Sequence, residues 1–349
     1  MNETLSPQRD QQAVLDDPLY GPLAVLDDAA RNVRSMRDDP AAFAAHVQTL
    51  RRRHGAVLVR GLGFDTLADV EAIAEALCAG LALVHYDGER ASPRSSLGGH
   101  VYTSTEYKAS ESIFVHNECS SRLEWPLCIM FACGLPAETG GATTLCDIRQ
   151  VSRLLDANLQ AEFAARGIAY TRNYGSAFGV SVEYAFGTTD RAAIQAYCAA
   201  RSIACKWRDD GSLQTTFRRA AHALHPETGE TLWFNYATFY SRSALEPRLR
   251  RLLSGVPESQ RPFSAAWGDG EPIADAVFDA CRAAYEAATY RFDWRRGDFL
   301  LLDNMLSGHG RDGFQGARQT YCVMAGEVLR PQPMSVPCVL RRAMELAPC

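Results

Sequence analysis

Residues 297–325 read GDFLLLDNMLSGHGRDGFQGARQTYCVMA. Gly297-Asp298 is a turn signal, and Phe299–Leu302 is a continuous apolar run of strand length. A second run, Thr320–Ala325, has the same character. Between them His309 is flanked by Gly308 and Gly310, where another backbone can approach closely. Similar short segments occupy Ile113–His116, Leu127–Cys133, Thr143–Cys146, Ile168–Arg172, Thr231–Phe234 and Thr289–Trp294. Many short strands separated by Gly/Pro turns predict a sandwich or barrel.

Helices are expected on either side of these strands. Phe43, Val47 and Leu50 repeat at helical spacing within 39–54, and Leu67, Val70, Ile73 and Leu77 do so within Thr66–Cys78, with a short strand, Ala56–Arg60, between them. Further helices are predicted near Ile148–Leu159, Arg191–Ala200, Pro247–Leu253 and Ile273–Ala287. The fold class is therefore mainly β with flanking helices (α+β). Residues 1–17 are polar and expected to be flexible, and 18–349 are expected to form a single domain. Its core runs roughly from 110 to 328, with a helical insert roughly at 148–290.

The chain has 349 residues, is 47% hydrophobic and carries a formal charge of -5, a globular composition without the basic stripe of a duplex-binding protein. Its basic runs, such as Arg51–Arg53, are short. No segment approaches the ~20 apolar residues that span a bilayer, and the N-terminus lacks the apolar core of a secretory signal. The eleven cysteines form no CxxC pair and sit mostly in apolar contexts, which fits reduced, buried thiols. Together these features point to a cytoplasmic protein acting on a small molecule, without nucleic-acid or membrane partners.

Phe114-Val115-His116-Asn117-Glu118 carries the first chemical signal. Side chains alternate along a strand, so His116 and Glu118 are expected to face one point. His309 supplies a second imidazole. Two histidines and one carboxylate hold a divalent metal on one face and leave the other positions open, as non-haem Fe(II) oxygenases require. The same set also suits zinc, and a bare His-x-Glu fits many strand edges. Arg318, at the entrance to the last strand, can form a bidentate pair with a carboxylate, or lie on the surface. Thr143 follows Gly140-Gly141, and its hydroxyl can donate to the same anion or simply belong to a turn.

Taken together, HNE (116–118), WPL (125–127), FACGLPAETGGATTL (131–145) and DNMLSGHGRDGFQGAR (303–318) resemble the TauD/TfdA-type 2-oxoglutarate oxygenases. VYTSTEY (101–107) and LWFNYATFY (232–240) are similar to the SyrP-like branch, often associated with nonribosomal peptide pathways. The resemblance implies a distorted double-stranded β-helix, or jelly roll. It implies His116, Glu118 and His309 as iron ligands and Arg318 and Thr143 as holders of the far carboxylate of 2-oxoglutarate, with O2 as the other cosubstrate. The turn reads GGAT where GGET or GGDT is frequent in the family. Related halogenases lack the metal carboxylate, so Glu118 implies hydroxylation; desaturation and epoxidation begin with related oxidants. The expected substrate is an amino acid, hydroxylated on its side chain with the β-carbon as the candidate position, and either free or tethered to a peptidyl carrier protein in a natural-product pathway. A non-catalytic jelly-roll binding protein is the alternative from another class.

Candidates for substrate contact are Arg311, Arg172, Asn173, Asn235 and Ser104, each with a structural alternative. Arg311 can engage a carboxylate or brace its loop. Ser104, Thr105 and Glu106 lie on an irregular stretch that reads as a lid.

Overall fold

The computed structural model describes residues 22–86, 89, 94–175, 180–241, 250–251, 255–257 and 260–330. Two sheets form the core. The larger has eight strands, in the order Leu23–Leu26, Ala56–Val59, Phe299–Asp303, Glu124–Leu135, Gln319–Leu329, Val101–Thr103 and Ser96–Gly98, with Leu83–Val84 also pairing Gln319–Leu329. The smaller has the order Thr289–Phe292, Thr143–Asp147, Ser307–Arg311 and Ile113–His116. From residue 113 to 147, and again from 289 to 329, successive main strands step between the two sheets. This is the jelly-roll arrangement.

Phe299–Asp303 is buried along its whole length. It is an apolar run because it is enclosed: strands Ala56–Val59 and Glu124–Leu135 flank it, and helix Pro40–His54 packs against it. That helix starts with Pro40 in its first turn and the Asp39 carboxylate accepting from Ala42 N–H. Helix Leu67–Cys78 begins with a reciprocal cap between Thr66 and Asp69.

Between the paired strands Thr143–Asp147 and Thr289–Phe292 the chain makes a long excursion. It contains a four-stranded antiparallel sheet, in the order Ile203–Trp207, Leu213–Arg219, Ile168–Tyr174, Phe263–Trp267, with helices around it. The predicted helix Ile148–Leu159 is two helices, Ile148–Leu154 and Ala157–Arg166. Asp156 breaks it by capping the second, accepting from Asn158 and Leu159 N–H. Residues 1–17 lie outside the described residues, as does most of Pro247–Leu253. The segment around His309, read as a glycine-flanked connection, is a fully buried strand, Ser307–Arg311, between two partners.

Gly310 makes that strand possible. A Cβ there would lie 2.4 Å from the Ile113 carbonyl oxygen and 2.6 Å from Thr144 Oγ1. Gly310→Ala should therefore force the strands apart and cost about 1–3 kcal/mol, seen as a lower Tm of the metal-free protein. An unchanged Tm would show that the strand can shift to admit a methyl group.

Candidate metal centre

The register of the small sheet sets His116 directly across from His309. Their rings are 4.7 Å apart. His116 Nδ1 donates to the Phe114 carbonyl at 2.9 Å, which leaves Nε2 as the nitrogen with a free lone pair. Both ring nitrogens of His309 are buried without a hydrogen-bond partner. Burial lowers the pKa of His116, against the opposing pull of Glu118. Burial, and then His116 and Arg94, push His309 well below the usual histidine value. Two neutral imidazoles facing each other are ready electron-pair donors.

Glu118 arrives differently from the sequence expectation. The strand ends at His116, and Glu118 sits in a turn. Strand alternation therefore does not place the carboxylate; Asn304 does. Its Oδ1 accepts from Glu118 N–H at 2.7 Å, while its Nδ2 donates to the carbonyls of Glu118 at 2.9 Å and Pro126 at 2.8 Å. Asn117 donates to the Asn304 carbonyl at 2.6 Å. Cys119, next in the turn, has φ +58, an unfavourable conformation for a residue with a Cβ. Ligand atoms of His116, Glu118 and His309 all lie within 4.8 Å of one another. This spacing, the neutral rings and the partnerless nitrogens of His309 fit a divalent metal.

Arg94 is the site residue the sequence reading missed. Its Nη2 donates to Glu118 Oε2 at 2.5 Å, and both side chains are buried. Burial opposes its charge, but Glu118 and then Cys322 raise its pKa. Arg94 stands in the irregular stretch before the metal strand, with no spacing that relates it to His116 or His309.

Beside the histidines lies a small cavity bounded by Arg94, Ser104, Thr105, Thr143, Arg311 and Arg318 among others. Phe314–Gln315 pairs with Thr139–Gly140, which carries the Gly-Gly turn to Arg318. Gly140 has φ +69, and a Cβ on it would meet the Gly313 carbonyl oxygen at 2.3 Å. Arg318 Nε donates to the Gly141 carbonyl at 3.3 Å. Among the described residues no carboxylate forms an ion pair with Arg318. Burial and the charge of Arg311 push its pKa down to about 10. An anionic ligand would relieve both effects. Thr143 Oγ1 accepts from Trp294 Nε1 at 2.9 Å, which leaves its own hydroxyl hydrogen to donate. These residues fit a dicarboxylate cosubstrate.

The substrate candidates separate. Arg311 and Ser104 line the cavity. Arg311 Nη2 donates to the carbonyls of Lys108 at 2.8 Å and Glu111 at 2.9 Å, bracing the preceding segment. That segment is tied down rather than loose: Ser104 N–H donates to the Thr320 carbonyl, and Arg94 reaches Thr105. Arg172, Asn173 and Asn235 are not in the cavity lining. Arg172 pairs with Glu89 at 2.9 Å. Asn173 donates to the Arg261 carbonyl and accepts from Arg208 and Gln214. Asn235 donates to the Ala221 carbonyl and accepts from Ala237 N–H. Nearer the metal ligands, Tyr236 and Phe239 pack on His116 with ring centroids at 5.7 and 4.8 Å.

A jelly roll that gathers two histidines and a carboxylate at one buried point, beside an arginine with no ion-pair partner among the described residues, fits the class of non-haem iron oxygenases. The chain belongs to the TauD/TfdA family: the model of the taurine catabolism dioxygenase TauD, TfdA family matches residues 22–325. It is a 2-oxoglutarate-dependent dioxygenase that uses Fe(II). The dapdiamide synthesis protein DdaC of Enterobacter agglomerans is 37% identical over 231 residues, covering 66% of this chain and 70% of that protein. A clavaminate synthase-like protein of Arabidopsis thaliana is 27% identical over 291 residues, covering 78% and 82%. Among solved structures, PvcB of Pseudomonas aeruginosa is similar with a TM-score of 0.48 and 16% identity, covering 84% of each chain. The nine cysteines among the described residues are unpaired, and no helix among them is long and apolar enough to cross a membrane.

Two outcomes follow from these environments. Arg318→Gln should cost about 2–3 kcal/mol of cosubstrate binding, a roughly 30- to 150-fold rise in the 2-oxoglutarate Kd measured calorimetrically. Burial holds the folded pKa values of both His116 and His309 below the ordinary histidine value of about 6.5, so the unfolded chain binds more protons in the acid range. Their contribution is present above that value and lost as pH falls below it. The Tm of the metal-free protein should fall as pH drops below about 6.5, with a shallower slope in His309→Gln.

Proposed function

We propose that this oxygenase hydroxylates an amino-acid side chain, with the β-carbon as the first position to test, on a substrate either free or tethered to a carrier protein in a natural-product pathway. Iron would be held by His116, Glu118 and His309. The far carboxylate of 2-oxoglutarate would be held by Arg318 and Thr143. The observation that carries this reading is the pair of buried, neutral histidines within ligand range of Glu118. With 2-oxoglutarate and O2, ferrous iron supplies the oxidant for an unactivated C–H bond, releasing succinate and CO2.

The chain's own residues position and shield. Arg318 offers a cation at the far end of the cosubstrate site, and Thr143 offers a hydroxyl whose oxygen is already fixed by Trp294. Tyr236, Phe239 and Phe131 pack on the two imidazoles and keep water from their faces. Arg311 holds the wall at 108–111. An intact Glu118 supports hydroxylation over halogenation, because the carboxylate fills the position a halide would need. Similarity to a protein of dapdiamide synthesis supports a small-molecule biosynthetic substrate. We read residues 18–349 as one oxygenase domain acting in the cytoplasm.

Succinate release should rise when Fe(II), 2-oxoglutarate and O2 are supplied with the right amino acid or aminoacyl carrier. Mass spectrometry should then find one added oxygen atom in the product. His309→Ala should abolish both signals. If neither free nor carrier-bound amino acids stimulate turnover, the substrate class is wrong.

A further inference from the structure

We propose that Arg94 is a positioning residue that sets the orientation of the Glu118 carboxylate at the metal, an inference that rests on Glu118 being a ligand. The guanidinium is held on several sides. Nη2 donates to Glu118 Oε2 at 2.5 Å. Nε and Nη2 reach Thr105 Oγ1 at 3.4 and 3.3 Å. The group lies over the Tyr86 ring, 5.1 Å from its centroid. Nη1 faces Cys322 Sγ at 3.5 Å and Met324 Sδ at 4.0 Å. Arg94 as a whole is 6% exposed. A cation fixed in this way dictates where its partner oxygen sits.

That oxygen is also the one 3.9 Å from His309 Nε2. A carboxylate can chelate a metal through both oxygens or bind through one. With Oε2 tied to a fixed guanidinium, and the turn backbone locked by Asn304, Glu118 has little freedom to rotate both oxygens toward the ion. Binding through one oxygen preserves the open positions that the cosubstrate and O2 need. A cation this close also repels a divalent metal, so the two effects have opposite signs and can be separated. Hydrogen-bond partners of metal ligands typically change metal affinity 10- to 100-fold.

The test is Co(II) titration of the metal-free protein, followed by its visible absorption, in wild type, Arg94→Met, Arg94→Lys and Glu118→Ala. Arg94→Met should bind Co(II) about 10- to 100-fold more weakly, with an altered visible band. Arg94→Lys, which keeps a donor, should recover part of both. Thermal melts identify variants that fail to fold; if Arg94→Met does, Arg94→Lys decides, its affinity falling between those of wild type and Glu118→Ala. Co(II) binding equal to or tighter than wild type, or an unchanged spectrum, in the folded Arg94 variants would overturn the proposal. Wild-type binding in Glu118→Ala would instead overturn the assignment of Glu118 as a ligand.

Discussion

Asn304 is the tie between the two sheets. Its amide engages the backbone of Glu118 on both sides and the carbonyl of Pro126, at the end of a large-sheet strand. Neither Asn304 nor Asn117 is exposed, so each of these bonds is made away from water. A typical hydrogen bond contributes about 1 kcal/mol net, but a buried group left without a partner costs about 1–3 kcal/mol. The turn therefore has one low-energy arrangement, and the strain at Cys119 is absorbed by these contacts. Preceding Asn304, Asp303 is anchored by Arg51 and His225 and accepts from the N–H groups of Met305 and Leu306. The chain leaves the large sheet at a fixed angle and delivers His309 opposite His116.

Charge around the site is distributed by the same logic. Arg94, Arg311 and Arg318 all border the cavity, yet each is restrained differently. Arg94 meets a carboxylate, Arg311 meets backbone carbonyls, and Arg318 meets one carbonyl and the Phe314 ring. Arg318 thus retains the largest unmet demand for an anion, consistent with its depressed pKa. Burial keeps the histidines neutral while the arginines remain charged, so donors of electron pairs and donors of hydrogen bonds are segregated within a few ångströms.

Much of this was legible in the sequence because the relevant signals are local. Phe299–Leu302, Ile113–His116 and Leu127–Cys133 announce themselves as apolar runs, and the structure extends the last to Glu124–Leu135. Ser307–Arg311 was obscured by its two glycines, which a strand normally disfavours; close neighbours demand the one at Gly310. The edge strand Leu23–Leu26 pairs in parallel with Ala56–Val59, a long-range partnership no local pattern reveals. The metal set was readable from residue type and resemblance, but the placement of Glu118 was not. It depends on Asn304, far along the chain. Arg94 was invisible for the same reason, since its role comes from a tertiary contact rather than a repeat.

The excursion between Thr143–Asp147 and Thr289–Phe292 begins and ends on strands that are hydrogen-bonded neighbours, with Cys146 opposite Thr289. Its two ends are already held one strand spacing apart, so closing it exacts little more entropy as it lengthens. Doubling the length of such a loop costs only about 0.6 kcal/mol. This is the segment that lays Tyr236 and Phe239 against His116. Evolution can therefore resize or replace the cover over the metal ligands while the strands beneath it keep their register.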